Sequence, residues 1–437
     1  MTQCTLPSFE FPTVRRRRVE VGFDGGEVSS DGGAVLLRQA DRLLGLTHGA
    51  ARLLSDARQA GKVRHSLRNM LRQRVYGMAL GYEDLNDHES LRGDTNLQTA
   101  IEQDRELASA STLCRFENGA DRQTAVALNA LMVETFIKSF SKTPEELILD
   151  FDATDDPVHG MQDGRFFHGY YDHYCFLPLY VFCGSQLLVA YLRPSNIDPA
   201  KHSWAILSLL VRRLRQEWPE VRIVFRGDSG FCRHRMLDWC GRHNVGFIVG
   251  IGKNKVLMRK CSRTTAKVEK QYRKRGRKVR KFIDIGYAAG TWRRAHRVIV
   301  KAEHNSIGPN TRFVVTNLPG RAGDLYDNVY CARGDMENRI KEQQLNLFAD
   351  RTSCSKWWAN QFRMLLSSLA YVLFDAMRRV GLAGTKLAKA TCGTIRLKLL
   401  KIGAVVRRNT RRVRLSLSSA YPAKNLFYLV AHRLAIE

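Results

Sequence analysis

The sequence predicts a mixed α/β protein: a mixed sheet flanked by helices, interrupted by a β-rich insertion, with a helical N-terminal domain. Three observations carry this. Between 145 and 250, apolar runs alternate with helical ones in the order strand, strand, strand, helix, strand, helix, strand. From 29 to about 144 the apolar period is that of helices. Between 251 and 318 short β-type runs surround a strongly cationic centre.

Composition bounds the possibilities. A chain of 437 residues exceeds one ordinary domain, and an apolar fraction of 44% is ample for a core. The formal net charge of +28 implies a polyanionic partner, because neutralising phosphates releases counterions. A ribosomal or merely supercharged protein would share that charge. Ten scattered cysteines form no Cys-x2-Cys pair, which argues against a disulfide framework or zinc knuckle and fits a reducing cytoplasm. His159, His168 and His173 lack a second ligand cluster, so loop packing accounts for them. No signal peptide opens the sequence, and no apolar run nears the ~18 residues that span a bilayer, so a membrane is not expected as a partner.

Residues 1–28 read as a basic arm and short hairpin. Arg15 to Arg18 touch phosphate or are simply solvated, and a hairpin turns around Asp24-Gly25-Gly26. Residues 29–144 form a helical, DNA-binding domain; its 66–79 helix carries Arg68, Arg72 and Arg74, although a generic helical domain with exposed arginines fits equally. The stretch 145–250 is the first part of the sheet-and-helix domain. Within it Trp204, Leu207, Val211, Leu214 and Trp218 recur at helical steps, and Pro219 ends the helix. Pro178 marks an edge or bulge in the run 174–182. The insertion, 251–318, contains the segment 259–301, where 16 Lys or Arg face two acids. Arg273, Lys274, Arg275, Arg277 and Lys278 should form an exposed tip, remote from the acids described next. Residues 319–380 complete the domain. The last stretch, 381–437, is basic: from 378 to 414 there are twelve Lys or Arg and no acid, a second nucleic-acid surface.

The chemistry is legible in three acids. The run Leu147-Ile-Leu-Asp-Phe-Asp-Ala-Thr154 begins as a buried strand and ends acidic, with Asp150 and Asp152 on one face. Asp228 ends a second apolar run, in Gly-Asp-Ser-Gly. Glu337 lies on a helical stretch whose polar stripe comprises Tyr330, Arg333, Glu337, Lys341 and Gln344. Two strand-end aspartates and a helical glutamate suit two hard divalent cations, Mg²⁺ or Mn²⁺, that activate a nucleophile and stabilise the leaving oxygen of a phosphodiester. Singly, each acid is equally a turn residue or a solvated helix charge.

These residues resemble the transposases of bacterial insertion sequences that have an RNase H-like catalytic domain and an Asp-Asp-Glu triad. The likeness is to the branch whose glutamate sits in Tyr-x2-Arg-x3-Glu-x6-Lys: Tyr330, Arg333 and Glu337 match, whereas Gln344 stands at the lysine position and Lys341 is one turn earlier. The resemblance favours Asp152, in Asp-Ala-Thr154, over Asp150 as first triad member. It implies catalysis by Asp152, Asp228 and Glu337 holding two ions, cleavage at element ends, and transfer of the freed 3′-hydroxyls to target DNA. Double-stranded DNA is then the partner and a dimer on DNA the working form, in the bacterial cytoplasm at the nucleoid. Related enzymes with such an insertion pass through a DNA hairpin, with an aromatic stacked on a flipped base. Trp292 is the candidate; a core tryptophan is the plainer reading. A metal-dependent nuclease without strand transfer, or a non-catalytic DNA-binding relic, are the alternatives.

Overall fold

A computed structural model describes residues 9–435. Two compact units emerge: Met1–Gly119 with Leu373–Glu437, and Ala120–Val372.

The second unit is built on one mixed sheet. Its strands are β1 (Glu146–Ala153), β2 (Leu179–Cys183), β3 (Gln186–Tyr191), β4 (Arg222–Gly227), β5 (Gly246–Ile251), β6 (Val279–Tyr287), β7 (His296–Asn305) and β8 (Arg312–Thr316). They lie in the order β6-β7-β8-β5-β4-β1-β2-β3. The first five reproduce the expected RNase H-like core: β1 to β3 form an antiparallel meander, and β4 and β5 return parallel to β1. A parallel return needs a crossover helix, supplied by α2 (Ser203–Glu217) before β4 and α3 (His234–Arg242) before β5. Leu207, Leu210, Val211 and Leu214 are the buried stripe of α2. The residue before a proline is disfavoured in helical conformation, and Trp218 leaves the helix with ψ of 85°.

Strand alternation assigns the faces. Leu147, Leu149 and Phe151 point into the core formed with α2, α3 and α1 (Arg122–Lys138). Ile148, Asp150 and Asp152 alternate with them on the other face, where Val224, Ile248, Leu325 and Tyr326 pack. The sequence had grouped the 122–138 helix with its N-terminal neighbours. Here Phe136 and Phe140 of this unit pack edge-on to Trp218.

Several expectations are corrected. The stretch 251–318 is not wholly β: a 21-residue helix, α4 (Lys255–Arg275), opens it, capped by Asn254 and closed by Gly276 at φ of +65°. Only Leu257, Cys261 and Val268 are buried on it, so its apolar period is too sparse to read from sequence. Its three long strands do not interrupt the sheet but extend it, β8 pairing with β5, and the short Gly308–Pro309 strand pairs with β7. The run 174–182 splits at Pro178. His173–Phe176 joins a separate small sheet, where His173 Nε2 lies 3.0 Å from Asp155 Oδ2, and only Leu179–Cys183 enters the main one.

In the first unit the hairpin falls earlier than expected. Phe9–Val14 pairs with Arg17–Val21 around Arg15, while Val28–Ser29 pairs with the C-terminal strand Ala404–Arg408. The 66–79 helix is present as Leu67–Leu80 with Ser66 as its cap, but two of its arginines are internal. Arg74 bonds Glu117 at 2.6 Å with both side chains fully buried, and Arg72 bonds Glu102 at 2.6 Å. Those side chains hold helices together and are not displayed to a groove.

Candidate active site

β1, β4 and β5 run parallel, so their C-terminal ends open at one end of the sheet. Asp152 is the penultimate residue of β1, and Asp228 follows the last residue of β4. Asp228 caps the short turn Ser229–Phe231 by accepting the Gly230 N–H at 2.8 Å. The third acid arrives on a helix with an irregular start. A widened turn (Leu325–Tyr330) and a tight one (Cys331–Arg333) precede α5 (Gly334–Leu347). Widened turns of this kind are frequent at functional sites. The turn brings Tyr330 against the sheet: a side chain at Gly250 would stand 2.6 Å from the Tyr330 hydroxyl, so only glycine permits the approach.

Arg333 joins the acids. Its Nη1 donates to Asp152 Oδ2 at 3.3 Å and its Nη2 to Glu337 Oε1. The side chain of Asp152 is 15% exposed and that of Glu337 44%. Burial pushes the Asp152 carboxyl up to about 7; Arg333 opposes the rise, and the charges of Asp228 and Glu337 add to it. Asp228 and Glu337 thus both lie within electrostatic range of Asp152 at this sheet end. Among the described residues no three acidic, His or Cys side chains form a ready metal cage. The guanidinium of Arg333 lies between Asp152 and Glu337. The donor set is nonetheless all oxygen, and Asp152 is short of positive charge, which fits a hard divalent cation.

Asp150 is differently placed. It is buried and held by Arg226 in a two-pronged ion pair, so it faces a partner and not the opening. Gln344 donates from Nε2 to the Asp155 carbonyl at 3.1 Å, tying α5 to the loop beyond Asp152, while Lys341 is solvent-exposed. Beside Asp228 lies a cavity of about 280 Å³, lined among others by Ser229, Gly250, Lys253, Arg312, Tyr326 and Tyr330. Sequence reading missed Arg226, Lys253, Arg312 and Tyr326. Arg226 alone carried a signal, standing two residues before Asp228 on the same strand.

Two further candidates are relocated. β8 is antiparallel to β5, β7 to β8 and β6 to β7, so β6 begins at the acid end. The exposed Arg273, Lys274, Arg275, Arg277 and Lys278, just before β6, therefore project at the same end as the acids. They are displaced laterally by four strands from β4, roughly 19 Å at the usual strand spacing. Trp292 sits in the β6–β7 turn at the opposite end. It packs against Tyr287 and His296 with ring centroids 5.4 Å apart in both cases, as a partly buried core residue. The flipped-base role expected for Trp292 does not survive this placement.

The family model for transposase DDE domain group 1 matches residues 11–436. The chain belongs to this family. DDE transposases cut and join nucleic acid and are in general dependent on divalent metal. No curated protein matches the chain. Among solved structures, the piggyBac transposase synaptic complex with hairpin DNA, seen by cryo-electron microscopy, is similar with a TM-score of 0.43 and 10% identity. The match covers 85% of this DDE transposase and 80% of that chain. No helix among its described residues is long and apolar enough to cross a membrane.

Proposed function

We propose that this protein is the transposase of a bacterial insertion sequence, cutting phosphodiester bonds at the element ends and joining the 3′-hydroxyls to target DNA. The observation that supports this best is a sheet end at which Asp152 and Glu337 share Arg333 and Asp228 closes the strand next to that of Asp152, in a chain of the DDE family.

Asp152, Asp228 and Glu337 would hold two Mg²⁺ or Mn²⁺ ions, which supply a lowered pKa for the attacking hydroxyl and charge stabilisation for the leaving oxygen. The protein's own groups do the rest. Asp152 and Asp228 would hold those ions at the strand ends, and the backbone of β1 and β4 sets the spacing of the two carboxylates. Arg333, released from the carboxylates, is placed to grip a DNA phosphate beside them. Lys253 and Arg312, with Tyr326 and Tyr330, line the adjoining cavity, where DNA backbone passes next to the site. The basic tip 273–278, at the acid end, extends that track. A dimer on DNA brings the two ends together.

Incubating the purified protein with Mg²⁺ and a donor plasmid bearing the element's flanks tests the reading. Double-strand breaks at both ends and joints in a second plasmid are expected. Breaks without joints would make it a nuclease of the same fold, and binding without breaks a catalytically silent DNA-binding protein.

A further inference from the structure

The face of the sheet that carries the acids also carries a buried ion pair, directly below them. Asp150 and Arg226 are register partners on β1 and β4, each two residues before a triad aspartate. Arg226 donates from Nε and Nη2 to the two oxygens of Asp150, the second bond at 2.6 Å, and its side chain and that of Asp150 are 8% and 2% exposed. Its remaining terminal nitrogen, Nη1, donates at 2.5 Å to the carbonyl of Val329, in the widened turn before Arg333 and Glu337. One side chain thus links both aspartate-bearing strands to the turn that leads into the Glu337 helix.

We propose that Arg226, seated on Asp150, is a positioning residue that fixes the Glu337 helix to the strand ends of Asp152 and Asp228; this rests on the reading of those acids as the catalytic set. β1 and β4 are aligned by ladder hydrogen bonds, but α5 has no backbone ladder to the sheet. Other polar ties among the described residues include Gln344 to the Asp155 carbonyl, Gln343 to Ser368, Arg333 to Asp152 and, in the widened turn itself, Arg280 to Asp327. The Arg333 tie runs through the reacting carboxylates and is lost whenever they take other partners. Arg226 holds the helix independently of them. Stability does not explain the pair, since buried ion pairs gain little over well-packed apolar residues. The planar fork does: it engages both carboxylate oxygens and a carbonyl at fixed angles, which an ammonium does not reproduce.

The test pairs Asp150→Leu/Arg226→Met, which replaces the ion pair by apolar side chains, with Arg226→Lys, which keeps the charge and loses the fork. Both are read by amide hydrogen exchange across 325–334, by melting temperature, and by kcat and KM for cleavage of element ends. For the double variant we expect retained melting temperature and KM, exchange in 325–334 at least ten-fold faster, and kcat lower by about 100-fold, as for a misplacement near 1 Å. Arg226→Lys should move in the same direction and carries the test if the double variant does not fold. Wild-type exchange and kcat in either folded variant would overturn the proposal. So would a kcat loss that only tracks a lowered melting temperature. If the wild-type protein cuts no DNA, the functional reading fails, while the exchange measurement still decides whether Arg226 tethers the helix.

Discussion

Asp150 and Asp152 stand two residues apart on one face of one strand, yet their surroundings oppose each other. Asp150 is enclosed, with both oxygens taken by a single guanidinium. Its carboxyl is raised by burial, and Arg226 counters that rise. Asp152 lies at the rim with one 3.3 Å bond to an arginine it shares with Glu337. Burial lifts it to about 7, with Asp228 and Glu337 adding to the lift. The first carboxylate is satisfied and holds structure together. The second is short of positive charge, which is the condition of a group built to take a cation.

The sharpest way to break this contrast is to neutralise each acid in turn. Asp152→Asn, Asp228→Asn and Glu337→Gln should leave no detectable cleavage while end binding persists, because metal ligands and not phosphate contacts are removed. Asp150→Asn should reduce cleavage strongly without abolishing it. An active Asp152→Asn beside a dead Asp150→Asn would exchange the two roles.

Stability should separate the pair next. The folded pKa of Asp152 exceeds its unfolded value of 3.8, so the native state binds more protons between pH 4 and 7. Stability from this group is therefore full below about pH 4 and lost as pH rises to about 7. The loss is about 4 kcal/mol at most. Without added metal, Asp152→Asn should melt higher than wild type at pH 7.5 and the difference should vanish near pH 4. Mg²⁺ should raise the wild-type melting temperature and leave Asp152→Asn unmoved. A lower melting temperature for the variant at pH 7.5 would contradict the assignment.

Arg333 gives a smaller effect. Replacing it by Gln removes the cation between Asp152 and Glu337, so Mn²⁺ measured by calorimetry without DNA should bind about ten-fold tighter, equivalent to about 1.4 kcal/mol. Affinity for cleaved DNA ends at low salt should fall. Unchanged metal and DNA affinities would reduce Arg333 to a structural ion pair.

The strands bearing both aspartates were legible because a run of large apolar residues ends abruptly in an acid, and the 203–217 helix because its apolar residues keep the helical step. What escaped depends on partners distant in sequence. Arg226 looked like any strand arginine until the register set it opposite Asp150. Helix Lys255–Arg275 was hidden by its charge, and only the register through β5, β8, β7 and β6 shows that the 273–278 tip rises at the acid end and Trp292 at the other. The pairing of Val28–Ser29 with Ala404–Arg408 spans almost the whole chain, beyond any local pattern.

The least localised effect belongs to the basic tip. Arg273 is paired with Glu269 and Lys278 with Glu303, whereas Lys274, Arg275 and Arg277 have no ion-pair partner among the described residues. Replacing all five by Gln should lower the log–log salt slope of DNA binding by about three, at nearly one unit per phosphate contact. Affinity for all sequences should weaken alike. An unchanged slope would remove the tip from the DNA track.

Asp152, Asp228 and Glu337, and not Asp150, are expected to hold the metal. Replacing Mg²⁺ by Fe²⁺ and adding ascorbate and peroxide cuts the polypeptide next to bound iron, with no DNA required. Mapped by mass spectrometry, the cuts should cluster at 151–154, 227–230 and 333–339, disappear in Asp152→Asn and persist in Asp150→Asn. Cuts that survive Asp152→Asn but vanish in Asp150→Asn, or that cluster elsewhere in the chain, would contradict this assignment.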